Sequence, residues 1–110
     1  MDDKKIIELF FARSELAIVS LAAKYEKLLY KICFQILEDR EDTAECINDT
    51  YFGVWNTIPP TEPDPLLAFV CKIARNTSLN LYRKKRAAKR DTAMQISLEE
   101  LAPNIPLPST

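Results

Sequence analysis

The sequence predicts an all-α fold: a compact bundle of about four helices, with a proline-rich loop before the last, long helix. Three observations support this fold class. Apolar residues recur at helical spacing along almost the whole chain. The single glycine, Gly53, leaves no Asn-Gly or Asp-Gly turn on which β-hairpins are usually built. Proline, the strongest helix breaker, is confined to a few places.

Length and composition limit the classes of function that this chain can have. A chain of 110 residues fits one domain with a single core. The absence of histidine and the single glycine argue against His-activated nucleophiles, mixed Cys/His zinc sites and phosphate-binding loops. We therefore expect no catalytic residue, no metal and no cofactor. No segment is apolar over a membrane-spanning length, which predicts a soluble cytoplasmic protein.

The first helix is expected at about 3–12, and the second from Ser14, a possible N-cap, to about Leu37. The second helix carries a stripe of seven residues that should be buried: Leu21, Tyr25, Leu28, Leu29, Ile32, Cys33 and Ile36. The three cysteines, Cys33, Cys46 and Cys71, are too widely spaced for a metal clip, and three is an odd number for a disulfide framework. They are expected to be buried thiols in a reducing cytosol.

The third helix should begin after the N-cap Asp39 and run to about Thr57. Five residues fall on its expected packed side: Ala44, Ile47, Tyr51, Val54 and Trp55. The opposite side is acidic and polar: Glu41, Asp42, Glu45, Asn48, Asp49 and Asn56. Phe52 lies in the middle of that side, which is either a solvated surface with one stray aromatic or a docking surface for a basic partner.

Residues 57–65 contain four prolines, which exclude a helix and predict a stiff loop, either a simple corner or one wall of a pocket. The fourth helix should then run from about Pro65 to Arg90. Its expected apolar side comprises Leu66, Phe69, Val70, Ile73, Ala74, Thr77, Leu81 and Ala88.

The fourth helix is also where the positive charge lies. Residues 65–90 hold eight basic and no acidic side chains, whereas residues 1–64 hold seven basic and thirteen acidic ones. A stripe of cations with neighbouring amides and one leucine forms the candidate nucleic-acid surface: Lys72, Arg75, Asn76, Leu79, Asn80, Arg83, Arg86 and Arg90. Cations hold phosphates, while amides can contact base edges. A solvated basic end is the alternative interpretation.

The remaining residues, 91–110, contain Asp91, Glu99 and Glu100 and three late prolines. Apart from a possible turn of helix at 97–101, they should form an extended, flexible linker. The predicted organisation is therefore a helical domain at 1–90 and a linker at 91–110.

Two stretches, taken together, resemble region 2 of the extracytoplasmic-function sigma factors, a branch of the bacterial sigma-70 family. Residues 39–55 (DREDTAECINDTYFGVW) resemble its acidic helix. Residues 68–76 (AFVCKIARN) and 79–86 (LNLYRKKR) resemble its promoter-reading helix. The similarity covers roughly residues 20–90.

The resemblance implies a transcription initiation factor with no enzymatic activity. By that similarity the acidic helix docks on a coiled coil of the largest RNA polymerase subunit. The docking residues would be Asp42, Glu45, Asn48, Asp49 and Phe52. The basic helix would bind the −10 promoter element, and the proline loop matches the loop that receives a flipped non-template base. The linker would lead to a second DNA-binding domain, and an anti-sigma protein is a further candidate partner.

The sequence also departs from the family pattern. Asn48-Asp49 stands where the family has Gln-Glu, and Phe69 replaces a tryptophan. Lys72 and Ile73 stand where primary sigma factors carry paired tryptophans, which fits the specialised branch. A different class of function remains open at this point: a helical interaction module whose basic helix binds an acidic protein. A steep fall of DNA binding with added salt would favour the sigma hypothesis.

Overall fold

The computed structural model describes residues 1–101. Within that range the chain forms only helices and their connections: α1 (Asp3–Phe11), α2 (Leu16–Leu37), α3 (Arg40–Thr57) and α4 (Leu66–Leu101). The predicted all-α fold is confirmed. The expected extended segment around the last three prolines lies outside the described residues.

The second helix is the centre of the bundle, since it packs against α1, α3 and α4, and α3 also packs against α4. Of its predicted buried stripe, Leu21, Leu29 and Cys33 are fully buried. Leu28 is 40% exposed, so its predicted burial is wrong. On a winding of about 100° per residue Leu28 points between the directions of Ala17 and Leu21, which are fully buried, so the helical repeat by itself does not explain its exposure.

The third helix begins as predicted, because the Asp39 side chain accepts a hydrogen bond of 2.9 Å from the backbone N–H of Asp42. Its buried side is formed by six residues: Thr43, Cys46, Ile47, Thr50, Tyr51 and Val54. Ala44, which we expected on this side, is exposed. The buried side of α3 is therefore rotated from the predicted one, because it includes Thr43 and Thr50. Both are polar residues, which the sequence pattern would place on the exposed side.

The two threonines can be buried because each hydroxyl is satisfied within its own helix. Thr43 donates to the Asp39 carbonyl at 2.6 Å, and Thr50 donates to the Cys46 carbonyl at 2.7 Å. With the hydroxyl paired, each threonine presents only its methyl group to the core. This local pairing explains why α3 buries a stripe that is only partly apolar in sequence.

The fourth helix is longer than predicted. It continues to Leu101, so the expected end near Arg90 is wrong. Between Asp91 and Leu101 the charge changes sign, but no glycine or proline occurs before Pro103. A change of charge does not break a helix, whereas proline does.

The packed half of α4 follows the prediction more closely. Leu66, Val70 and Ala74 are buried as expected, but Ala88 is exposed. Ser78 is buried as well, and its Oγ has no hydrogen-bond partner among the described residues. From Tyr82 to Gln95 every side chain is exposed, because this part of α4 extends past the end of the bundle.

The cysteines are free thiols in the structure, as expected, with Cys33 and Cys46 buried and Cys71 half-buried. Burial raises the pKa of the Cys46 thiol to about 11. A thiol with so high a pKa is almost entirely protonated at neutral pH and is a poor nucleophile. These cysteines therefore serve packing.

Candidate functional site

The acidic face of α3 comprises the five predicted docking residues: Asp42, Glu45, Asn48, Asp49 and Phe52. Glu45, Asn48 and Asp49 are exposed as expected, and Phe52 is 66% exposed. Other large apolar side chains are exposed to a similar extent, among them Leu16 at 61% and Val19 at 62%, but Phe52 lies among the acidic and polar residues of α3. The structure thus places an apolar side chain within a polar, negatively charged surface.

The position of Phe52 follows from its neighbour. Tyr51 is 8% exposed, and its hydroxyl donates a hydrogen bond of 3.2 Å to the Glu26 carboxylate on α2. Successive residues of a helix are about 100° apart, so burial of Tyr51 and Val54 directs Phe52 away from the core. The exposure of Phe52 is therefore fixed by the packing of α3.

Asp42 differs from the other four residues. Its side chain is only 14% exposed and forms an ion pair with Lys85 of α4. The hydrogen bond to Asp42 raises the pKa of Lys85, because the carboxylate stabilises the charged ammonium. This ion pair joins the beginning of the acidic helix to the basic helix, a connection that the sequence did not reveal.

The basic face of α4 carries seven predicted residues that are all exposed: Lys72, Arg75, Asn76, Asn80, Arg83, Arg86 and Arg90. The eighth, Leu79, is half-buried and lies at the boundary with α2. The Arg86 guanidinium donates to the Tyr82 hydroxyl one turn away, at 3.0 Å. The face is therefore a row of cations along one helix, beginning next to the bundle and continuing beyond it.

Arg13 is a residue that sequence reasoning missed. It occupies the turn between α1 and α2 with φ 56°, a left-handed conformation. Its guanidinium donates to the carbonyls of Trp55 at 2.8 Å and Ile58 at 2.9 Å. It also lies 3.7 Å from the centroid of the Trp55 ring.

These contacts place Arg13 at the point where α3 ends and the proline loop begins. The guanidinium satisfies carbonyls that lack helical partners at the end of α3.

Ser14, the predicted N-cap of α2, lies one residue before the cap position occupied by Glu15. Its hydroxyl nevertheless accepts a hydrogen bond of 3.3 Å from the Leu16 N–H.

A concave region of about 460 Å³ between α2 and α3 reaches Asn48 of the acidic face, and two others adjoin the proline loop and the basic face. A pocket of about 790 Å³ lies between α1 and the proline loop, and its acidic residues are Asp3, Glu8, Glu62 and Asp64. A groove of about 560 Å³ lies between α2 and α4. We refer to them as the loop pocket and the α2–α4 groove.

The chemistry of these surfaces is that of binding. Among residues 1–101 no group of three or more His, Cys, Asp or Glu side chains is arranged to hold a metal ion. In the same range, no helix is both long and apolar enough to cross a membrane. What the surfaces offer is a carboxylate-rich patch with an aromatic centre and, on the next helix, a row of cations.

Comparison with known proteins assigns the family. The family model Sigma-70 region 2 matches residues 21–88, more than half of the chain. The match covers most of α2, all of α3, the proline loop and α4 as far as Ala88, while α1 and Arg13 precede it. Searches of curated proteins and of solved structures give no match. The chain belongs to the sigma-70 region 2 family, whose members are transcription initiation factor domains rather than enzymes.

Proposed function

We propose that this domain is a bacterial sigma factor module of the extracytoplasmic-function type that acts in the cytoplasm. The acidic face of α3 docks on the coiled coil of the largest polymerase subunit. The basic face of α4 holds the non-template strand of the −10 element while the promoter opens. The observation that carries the proposal is the separation of opposite charges onto the exposed faces of two adjacent helices, inside the segment that matches the family.

The acidic face has the features of an interface centre. Phe52 offers an apolar anchor, and Glu45 and Asp49 lie within about two helical turns of it along α3. Buried aromatic anchors contribute most of the affinity in many interfaces, while surrounding charges set orientation and partner choice. A helix of the partner that presents basic residues around an apolar pocket would complement this face.

The basic face has the features of a phosphate-binding strip. Residues 65–90 lack acidic side chains, so nothing on this part of α4 opposes the field of its cations. Cations on one face can neutralise successive phosphates, which releases counterions and makes binding depend steeply on salt. Asn76 and Asn80, exposed beside the cations, supply donors and acceptors for base edges.

The assignment to the specialised branch is supported by Lys72 and Ile73. Primary sigma factors resemble this segment but carry paired tryptophans there. Lys72 is exposed and Ile73 half-buried, and the Ile73 side chain lies 3.2 Å from the position that a Cβ would take at Gly53. Without the tryptophans fewer stacking contacts are available to opened DNA, and we expect this domain to melt a narrower set of promoters.

A pull-down with purified core RNA polymerase tests the docking half of the proposal. The wild-type domain is compared with the variant Asn48→Ala/Asp49→Ala/Phe52→Ala. We expect the wild type to be retained and the variant to remain unbound, since all three positions are exposed and their removal should leave the fold intact. Circular dichroism confirms folding of both proteins.

The matched control is Glu8→Ala/Phe11→Ala, which removes one carboxylate and one exposed aromatic from α1. This control should be retained like the wild type. If a folded wild-type domain is not retained, the docking role is wrong and the interaction-module alternative replaces it. If neither the control nor the triple variant is retained, binding depends on general charge and apolarity and not on the acidic face.

A further inference from the structure

The outer side of α2 is apolar although no helix of residues 1–101 covers it. All but six of the 22 residues of α2 are apolar, the exceptions being Ser20, Lys24, Glu26, Lys27, Lys31 and Gln35. A helix that is apolar all round is normally covered on every side. Here α1, α3 and α4 pack against α2, yet a strip of one lysine and five apolar side chains is exposed: Leu16, Val19, Ala23, Lys27, Tyr30 and Phe34. We call this strip the outer seam.

The spacing of the outer seam is that of a surface that binds a helix. Leu16, Ala23 and Tyr30 follow one another at intervals of seven residues, and the same interval separates Lys27 from Phe34. Wound at about 100° per residue, the strip occupies an arc of about 80° and runs about 27 Å along α2. Apolar positions that repeat every seven residues keep one face turned toward a second helix over several turns.

The aromatic end of the outer seam is already ordered. The rings of Tyr30 and Phe34, one turn apart, stack with their centroids 5.8 Å apart and their planes at 10°. A stacked pair loses little side-chain freedom when a partner covers it, and aromatic residues are frequent anchors of interfaces. This end of the strip therefore offers a preformed contact surface.

The charges beside the outer seam differ between its two flanks. Lys24 and Lys31 lie on one flank, and Lys27 lies where the strip meets it. Lys24 is paired with Asp3, whereas the ammonium groups of Lys27 and Lys31 form no ion pair within residues 1–101. Further round α2 on this side lies the α2–α4 groove, with two exposed cations of the basic face. A partner must therefore present carboxylates to this flank.

A second copy of the chain fits the outer seam poorly. If two α2 helices packed antiparallel about a two-fold axis, the lysine flank of each copy would face the lysine flank of the other. If they packed parallel and in register, Lys27 would meet Lys27 of the second copy within the seam. Like charges oppose both arrangements.

We propose that the outer seam of α2 docks an amphipathic helix of another protein, one that carries a row of aliphatic side chains with carboxylates along one edge of the row. The aliphatic row packs on the apolar residues of the seam, and the carboxylates bind Lys27 and Lys31. The aliphatic stem of Lys27 stays in the contact while its ammonium reaches the edge. This inference does not depend on the proposed function, since the outer seam and its lysines belong neither to the acidic face of α3 nor to the basic face of α4.

The basic part of α4 is the competing site for an acidic helix. It carries more cations, but Tyr82 and Met94, its exposed large apolar side chains beyond the bundle, are twelve residues apart. Attraction between exposed charges is largely screened at distances beyond about 8 Å at 0.15 M salt. A helix that needs apolar contacts as well as charges is therefore better held by the outer seam.

The test uses two labelled helical peptides of three heptads each, with leucine at the first and fourth positions of every heptad. One peptide carries glutamate beside the leucines, and the other carries glutamine at the same places. Each is titrated with the full chain at about 0.15 M salt, and binding is followed by fluorescence anisotropy. The wild type should bind the glutamate peptide about tenfold more tightly than the glutamine peptide, because only the former pairs with the lysines.

Two double variants separate the apolar from the charged contacts. Leu16→Gln/Val19→Gln should weaken both peptides about tenfold, because it removes two apolar anchors. Lys27→Gln/Lys31→Gln should bring the two peptides to equal affinity, since the glutamates then lose their partners. All four side chains are exposed and glutamine is a good helix former, so both variants should fold, which circular dichroism verifies.

The matched controls make the same kinds of substitution on α4. Tyr82→Gln/Met94→Gln removes two exposed apolar side chains, and Lys84→Gln/Lys89→Gln removes two exposed lysines. Both controls should bind the two peptides as the wild type does. The docking variant Asn48→Ala/Asp49→Ala/Phe52→Ala should also bind them, which separates this site from the acidic face.

Four results would overturn the inference. Failure of the folded wild type to bind either peptide would show that the outer seam docks no such helix, and equal affinity for the two peptides would remove the role of the lysines. Unchanged binding in Leu16→Gln/Val19→Gln together with loss in Lys84→Gln/Lys89→Gln would place the acidic helix on α4. A dimer of the chain without peptide, abolished by Leu16→Gln/Val19→Gln in analytical ultracentrifugation, would make a second copy the occupant of the seam.

Discussion

The acidic face of α3 and the basic face of α4 differ in what supports them. Behind the acidic face lie six buried residues, so the positions of Phe52 and its neighbours are fixed by the core. The basic face begins over the packed half of α4, but behind Arg83, Arg86 and Arg90 there is no core, since every side chain from Tyr82 to Gln95 is exposed. One face is a shaped surface with an apolar centre, and the other is a row of charges that continues along a helix beyond the end of the bundle.

The difference suggests a division of labour. A rigid surface with an anchor suits one partner of fixed shape, because shape complementarity requires that the side chains be held in place. A row of cations suits a partner whose charges repeat regularly and whose exact position can vary. The two helices therefore fit a protein partner and a nucleic acid, respectively, even though they pack against each other.

The helicity of the basic end also depends on the packed half of α4. A helix of 36 residues is about 54 Å long, longer than the bundle against which it packs. Isolated helices are only marginally stable in water, because nucleation is costly. The segment around Val70 and Ala74 is held by the core, and the residues that continue the helix beyond it include Arg, Lys and Ala, which are good helix formers.

The adjacent residues Tyr51 and Phe52 give the strongest test of the acidic face as a surface built on the core. Tyr51→Ala should lower the free energy of unfolding by about 3 kcal/mol, since it leaves a cavity and removes the hydrogen bond to Glu26. Phe52→Ala should change it by less than about 0.5 kcal/mol. Urea denaturation measures both values.

Polymerase retention should show the reverse pattern for these two variants at a temperature where both remain folded. Phe52→Ala should abolish retention, whereas Tyr51→Ala should keep it. If Phe52→Ala unfolds the domain instead, Phe52 packs in the core in solution and the acidic face has no anchor.

Much of the fold could be predicted, because the signals are local. The helical repeat of apolar residues, the Asp39 cap and the prolines of the loop gave three helices within one or two residues of their observed ends. The two larger errors have physical causes. Thr43 and Thr50 are buried because they pair their hydroxyls within the helix, and α4 continues past Arg90 because no residue there breaks it.

The site was predictable to a smaller extent. Exposure of Phe52 and of the cations of α4 follows from helix periodicity, which is visible in the sequence. The Asp42–Lys85 ion pair and the Arg13 contacts join residues that are about 40 positions apart in the chain. Pairings of this kind depend on how the helices are placed in space, about which the pattern within each helix says nothing.

The double variant Arg75→Ala/Arg83→Ala sharpens the description of the basic face as a row of phosphate-binding cations. It should reduce the slope of log affinity against log salt concentration by about 1.4 for single-stranded DNA, since each phosphate that is no longer neutralised accounts for about 0.7. Stability should be unchanged, because both side chains are exposed. The control Lys31→Ala/Arg40→Ala removes two exposed cations from other helices and should leave the slope as it is in the wild type.

Substitution of Arg13 tests whether its contacts with Trp55 and Ile58 stabilise the end of α3 and the start of the proline loop. Arg13→Ala should lower the free energy of unfolding by about 1 kcal/mol, since it removes hydrogen bonds to two carbonyls and the cation–π interaction with Trp55. Arg13→Gly removes the same interactions but tolerates the left-handed backbone better, and it should be the more stable of the two variants. Equal stability of the two variants would show that φ is not positive at this residue in solution.

The smallest expected effect is that of breaking the ion pair between Asp42 and Lys85. Among the described residues, it is the one ion pair that joins the acidic face to the basic helix. Asp42→Asn frees Lys85 from its partner, so the DNA affinity of the isolated domain should rise slightly, because one more cation becomes available to phosphates. Glu41→Gln, which removes a neighbouring carboxylate from the same helical turn, is the control and should have less effect. Titration at low salt detects the difference, which should disappear at high salt because the pair is partly exposed.

The same ion pair predicts a coupling between the two partners. A basic polymerase residue that takes Asp42 releases Lys85 to DNA, so each partner should raise the affinity for the other, and by the same factor. Lys85→Gln should then cost more DNA affinity in an Asp42→Asn background than in the wild type, where Lys85 is already engaged. The pair has a pH limit as well: the pKa of Lys85 is raised by Asp42, so the link persists through neutral pH and disappears as the pH rises through that raised value. Additive effects of the two substitutions would mean that the faces act independently, and that the pair only fixes how α4 lies against α3.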